Sequence, residues 1–197
     1  MEELIRALAF EFAKIAPEIE ATPRTSLYRI YRDTRFSKNK SPYKTHAAAV
    51  FPTRHLGKHE GAGFYFHISP DELLIGGGLY MPQPDDLRVI RLAIAENPAH
   101  FEEIVENRKF RRVFGELAGE QLARVPRGFP ADHQAATYLK LKQYLAARRL
   151  SPDSACSSRL RRMLVETITA ALPLIRFLNE PIRHRRKTKE RNAFLLT

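Results

Sequence analysis

Between Leu27 and Phe51 the chain sets Arg29, Arg32, Arg35, Lys38, Lys40 and Lys44 around a single acid, Asp33. Leu27, Tyr28, Ile30, Tyr31, Phe36, Tyr43 and Phe51 are threaded among them. Guanidinium groups grip carboxylate or phosphate oxygens in a planar fork, and ammonium groups add point charges. The aromatic and apolar residues give the segment something to bury, which holds the cations in place. Anion binding is the chemistry these residue types point to. On an extended strand Arg29, Tyr31 and Asp33 share one side and Arg32 takes the other, so the bases meet at one ligand only if the loop curls. The competing reading is an ion-pair network in which Asp33 and other acids tie the loop to the body.

Two further features stand beside this stretch. Gly76-Gly77-Gly78, followed by Tyr80, lets backbone N–H groups approach an anion closely or, equally, lets another element pack tightly. It lacks the spacing of dinucleotide-binding and P-loop motifs. In Gly63-Phe-Tyr-Phe-His67 the alternation puts Phe64, Phe66 and Ile68 on one face and Tyr65 and His67 on the other. His67 and Tyr43 are the candidates for proton transfer, and His67 reads equally as a half-exposed histidine bonded to a neighbour. The expected anion site is therefore Arg29, Arg32, Asp33, Arg35, Lys40, Tyr43, Lys44, His67, Gly76, Gly77, Gly78 and Tyr80. His55 and His59 would ligate a metal only on a helix, which Gly57 opposes, and no Cys or carboxylate cluster joins them. Cys156 stands alone, and no Ser-His-Asp or Cys-His pattern appears. Neither metal nor cofactor is expected.

The charge of +11 is concentrated. Arg24 to Lys44 holds seven bases and one acid, and Arg183 to Arg191 holds six bases and one acid. The partner implied is anionic, with a small molecule first and nucleic acid second. A partner-interaction module with no ligand is the third reading, and it would show an exposed apolar patch. No apolar run reaches the roughly 20 residues of a membrane helix. The acidic start is unlike a secretory leader, and one cysteine suits a reducing cytoplasm. The second basic run reads as a solvated tail at 183–197, beyond a single domain at 1–182.

These groups must be held by elements the sequence also marks. Leu4, Ile5, Leu8, Phe12, Ile15 and Ile19 form a helical stripe that Pro17 ends or bends, and 22–24 reads as a turn. Leu27 to Tyr31 and Ala47 to Phe51 read as strands on either side of a loop at 33–42. Gly63 to Ser69 and Glu72 to Ile75 form a hairpin about Ser69-Pro70-Asp71, running on to Tyr80. Helices follow from Pro84 and again around Phe101 to Val105. Lys109 to Pro130 reads as short strands or a loop, Ala131 to Leu139 as a helix, and Lys142 to Leu150 as a strand or helix end. A last helix runs from Ser154 to Ile182, with Pro173 as an expected kink. Strands grouped at 27–80 with helices after them give an α+β domain, an antiparallel sheet covered by helices.

Several blocks in order carry a resemblance: Arg29-Ile-Tyr-Arg-Asp33, Arg35-Phe-Ser-Lys38, Lys40-Ser-Pro-Tyr-Lys44, Gly63-Phe-Tyr-Phe-His67 and Gly76-Gly-Gly-Leu-Tyr80. Val125-Pro-Arg-Gly-Phe129, Tyr138-Leu-Lys-Leu-Lys142 and Phe177 continue it. Together they resemble the bacterial and fungal family called domain of unknown function 2461, over roughly Leu4 to Leu178. Members of that family usually open with a segment carrying Asn-Asn and Trp-Phe, whereas this sequence has no Trp and begins within the first helix. The resemblance implies a fold boundary and brings no activity, cofactor or catalytic residue.

Overall fold

The computed structural model describes residues 1–32, 35, 40–58 and 60–194. Asp33, most of the expected 33–42 loop, His59 and residues 195–197 lie outside them. The first helix, α1 (Glu2–Ile15), buries Ile5, Leu8 and Phe12. It stops where Ala16, forced from helical angles by the proline after it, takes φ −150°. Instead of a plain turn, Pro23–Ser26 forms a short helix, α2, because Pro23 suits a first helical position and Thr22 accepts a hydrogen bond from Thr25 N–H.

Four strands follow in a single antiparallel sheet of order β1-β2-β3-β4: β1 (Ala47–Phe51), β2 (Gly63–Ile68), β3 (Leu73–Leu79) and β4 (Tyr144–Leu150). Leu27 to Tyr31 is not a regular strand. It touches the sheet edge through a bridge from Leu27 to Ala49 and a bond from Tyr28 N–H to the Ala48 carbonyl. It then leaves β1 and pairs with 42–44 through the Tyr31–Tyr43 bridge. The edge strand gives way because residues 30–32 take their backbone partners from Pro42 and Lys44 rather than from the sheet.

Helices α3 (Pro84–Glu96), α4 (Pro98–Glu106), α5 (Arg108–Phe114), α6 (Ala136–Leu139) and α7 (Leu160–Phe194) complete the fold. The α5 segment corrects the expectation of strands or loop from Lys109. Asn107 caps it by accepting from Phe110 N–H, and Gly115 at φ +73° ends it. Residues 131–135 are not helical, so only the end of that expected helix forms. The last helix starts late, since Pro152–Cys156 is a separate 3-10 turn capped by Ser151 and Ser157 is extended.

One face of the sheet carries the core. Phe51, Phe64, Phe66, Ile75 and Leu79 point into it, with Phe12 of α1 5.1 Å from Phe51 and 5.6 Å from Phe64 between ring centroids. Leu164, Ile168, Leu172, Ile175 and Leu178 of α7 close it. Each such side chain contributes about 1.5–3 kcal/mol on burial, so these rings and α7 hold the sheet rigid. Gly77 is what lets α7 come close, because a Cβ there would meet Phe64, Ile175 and Ala171 at 3.0–3.3 Å.

The segment after Ile182, expected as a solvated extension, continues α7 as helix to Phe194. Arg185 Nη2 reaches the buried carboxylate of Asp86 at 2.6 Å, and Arg186 Nη1 reaches Glu60 at 2.7 Å. Acids on the body thus hold two of the tail's bases. Among the described residues no helix is long and apolar enough to cross a membrane.

Candidate functional site

The face of the sheet turned away from the helices carries the polar chemistry. Strand alternation places Tyr65 and His67 there, opposite Phe64 and Phe66, as the sequence pattern predicts. Register then aligns Ala48, His67, Leu74 and Arg149 in one row across the four strands.

A hydrogen-bonded chain runs along this face. Tyr65 Oη lies 3.1 Å from His67 Nδ1, and His67 Nε2 lies 3.2 Å from Glu72 Oε1. Arg149 Nη1 donates to Glu72 Oε2 at 2.5 Å. The hairpin turn sets the Glu72 position, since Ser69 Oγ accepts from Glu72 N–H and Ser69 N–H donates to the Glu72 carbonyl. Hydrogen bonds from Arg149 and His67, with the Arg149 charge, hold the Glu72 carboxyl below its ordinary 4.5. An ionised carboxylate only accepts, so Nε2 is the donor toward Glu72, and in the neutral ring Nδ1 accepts the Tyr65 O–H. Burial pushes the Tyr65 and Tyr28 hydroxyls above the ordinary 10.0, so both stay protonated at neutral pH. The His46 ring sits 5.5 Å from that of His67 and is held below 6.5, first by burial and then by His67 and Lys44.

Cations rim this chain. Lys44 Nζ and Lys58 Nζ each lie 5.3 Å from the centroid of the Tyr28 ring, which meets Tyr65 edge-on at 6.4 Å. Neither ammonium has a carboxylate partner among the described residues. Two ammonium groups thus stand at one ring beside the histidine chain.

Of the residues expected in the site, Lys44 and His67 come together here. Arg29, Arg32, Arg35 and Lys40 are exposed. Tyr43 pairs with Tyr31 at 5.6 Å and is 53% exposed. Gly76 and Gly78 lie on the His67 side by alternation, whereas Gly77 faces the helices. Gly78, at φ +140°, approaches the Tyr144 carbonyl so closely that a Cβ would sit 2.0 Å from it. Tyr80 is exposed and six residues along from Leu74, the partner of His67, which puts it roughly 20 Å from His67. Two hollows lie elsewhere. One of about 780 Å³ runs between α3 and the end of α7 along Leu92, Phe177 and Pro181, and one of about 280 Å³ lies beside Pro17 and Arg54.

Lys58, Glu72 and Arg149 are absent from the site as the sequence predicts it. The Ser69-Pro70-Asp71 turn carries a signal for Glu72, because a tight turn there brings it back toward His67. Arg149 carries none, since its place depends on β4 closing onto β3 over a long intervening chain. Among the described residues no group of three His, Cys, Asp or Glu stands close enough to hold a metal ion.

No curated protein and no solved structure matches the chain. The family model described as conserved hypothetical protein (DUF2461) matches residues 1–177, and the chain belongs to that family.

Proposed function

We propose that the outer face of the sheet binds a small phosphate- or carboxylate-bearing molecule. The observation that carries this reading is the convergence of Lys44 and Lys58 on the Tyr28 ring, without carboxylate partners among the described residues, beside the Tyr65–His67–Glu72 chain. The two ammonium groups would receive the anion. Arg29, Arg32, Arg35 and Lys40 on the neighbouring arm would draw it in by their summed field.

The Tyr65–His67–Glu72 chain beneath would fix the polar floor of the site, with Glu72 held by Arg149 orienting the imidazole.

A thermal-shift screen of inorganic phosphate, nucleotides and dicarboxylates tests this, because a ligand of the native state raises the melting point by mass action. One class should raise it in the natural protein and not in the Lys44→Ala/Lys58→Ala double variant. If no anion shifts the melting point, or the shift survives loss of both lysines, the reading is wrong.

A further inference from the structure

The two basic segments, far apart in the chain, meet at one turn. Arg186 of α7 donates to Glu60 Oε2 at 2.7 Å and to the Glu60 carbonyl at 3.0 Å. Glu60 closes that turn on Gly57 N–H and Gly57 O, at 3.3 and 3.0 Å. Lys58 stands within the same turn and places its ammonium at the Tyr28 ring, in the first basic segment. Beyond Arg186, Lys187 and Arg191 stand four residues apart, away from the face that Ile182 buries, whereas Arg183 is half-buried with its charge acting on Glu18. Lys187 and Arg191 are exposed.

Next to Lys44 in the chain lies an exposed aromatic pair. Tyr31 and Tyr43 meet at 5.6 Å and are 60% and 53% exposed, with Ile30 55% exposed beside them. Large apolar rings left in water call for an occupant. Their cross-strand bridge fixes both in place, and Lys44 adjoins Tyr43 in the chain. We infer that these cations and the tyrosine pair together form a track for single-stranded nucleic acid. The cations from Lys44 and Lys58 to Lys187 would follow the phosphates, and Tyr31 and Tyr43 would stack on unpaired bases. A duplex keeps its bases stacked inside and offers the tyrosines nothing. The track shares Lys44 and Lys58 with the small-anion reading and differs from it in using Tyr31, Tyr43 and the α7 bases in place of Tyr65, His67 and Glu72.

Fluorescence anisotropy on the full chain tests it, with a short mixed-sequence single-stranded RNA, the matched duplex and heparin, each across a salt series. The single strand should bind at low salt and more tightly than the duplex. The Lys187→Ser/Arg191→Ser variant should flatten the salt slope by about 0.7 for each phosphate it no longer neutralises. Tyr31→Ala should weaken single-strand binding roughly ten-fold and leave the slope as it was. These side chains lie at the surface, so both variants should melt like the natural protein. Absence of binding at low salt overturns the inference. So does equal binding of single strand, duplex and heparin that Tyr31→Ala does not change.

Discussion

His67 and Glu72 meet across the tip of the β2–β3 hairpin, with the imidazole Nε2 3.2 Å from carboxylate Oε1. The other carboxylate oxygen of Glu72 accepts from Arg149 on β4, so one acid joins a hairpin tip to a strand 77 residues on. The Glu72 carboxyl, held low by these partners, contributes its stabilisation above the ordinary 4.5 and loses it as pH falls through its lower folded value.

Glu72 should therefore set the His67 tautomer. Nitrogen NMR of the imidazole should find the proton on Nε2 in the natural protein. In Glu72→Ala the ring should become a mixture of tautomers, with little change in melting point, since a partly exposed ion pair adds little stability. An unchanged tautomer would show that Tyr65 alone orients the ring.

Gly77 belongs to packing rather than to a ligand, and a side chain there should act on stability alone. Valine at this position would press on Phe64, Ile175 and Ala171, all within 3.0–3.3 Å of the first added carbon. Overpacking of this kind costs about 1–3 kcal/mol. Gly77→Val should lower denaturant stability by that amount and leave the His67 ring signals on the opposite face in place. A neutral Gly77→Val would mean that α7 does not rest on the sheet here.

The parts of the fold that local pattern governs are those the sequence makes legible. The α1 stripe with its stop before Pro17, the β2–β3 hairpin and the division of β2 into a Phe face and a Tyr-His face all follow from periods of 3.6 and 2. Lys109 to Phe114 fails for want of length, because two buried residues, Phe110 and Val113, make too short a stripe to read. Its signals are Asn107 and Gly115, a cap and a stop around seven residues. At the candidate site, Lys44 and His67 are legible from charge and alternation. Lys58 and Arg149 are not, because a loop fold and a distant strand pairing bring them there. The basic run after Ile182 misleads for a similar reason, since its helix is anchored by Asp86 and Glu60, which are remote in sequence.

Arg185 should matter more than any other base in that run. Its guanidinium covers Asp86, whose side chain is 3% exposed in the first turn of α3. Removing one partner of a buried pair leaves the other charge without compensation. The start of α3 offsets part of this through its dipole, so Arg185→Ala should cost about 2 kcal/mol. Hydrogen exchange should quicken in α7 beyond Ile182, whereas Lys187→Ala should leave both readouts alone. Equal effects from the two substitutions would mean that the pair does not anchor the helix.

His46 gives the fold a weakness toward mild acid. Burial, with His67 and Lys44 facing it, holds its proton affinity below the ordinary 6.5 of the unfolded chain. The unfolded state therefore binds the proton first as pH falls. Above 6.5 His46 is neutral in both states and costs nothing. Below it, stability declines until the folded His46 is itself protonated. His46→Gln has no such proton to gain, so its melting point should fall less than that of the natural protein between neutral and mildly acidic pH. Melting curves taken through that range check it directly: parallel declines in the two proteins would remove His46 from the account, while a shallower decline in the variant assigns the acid-sensitive part to this ring beside His67.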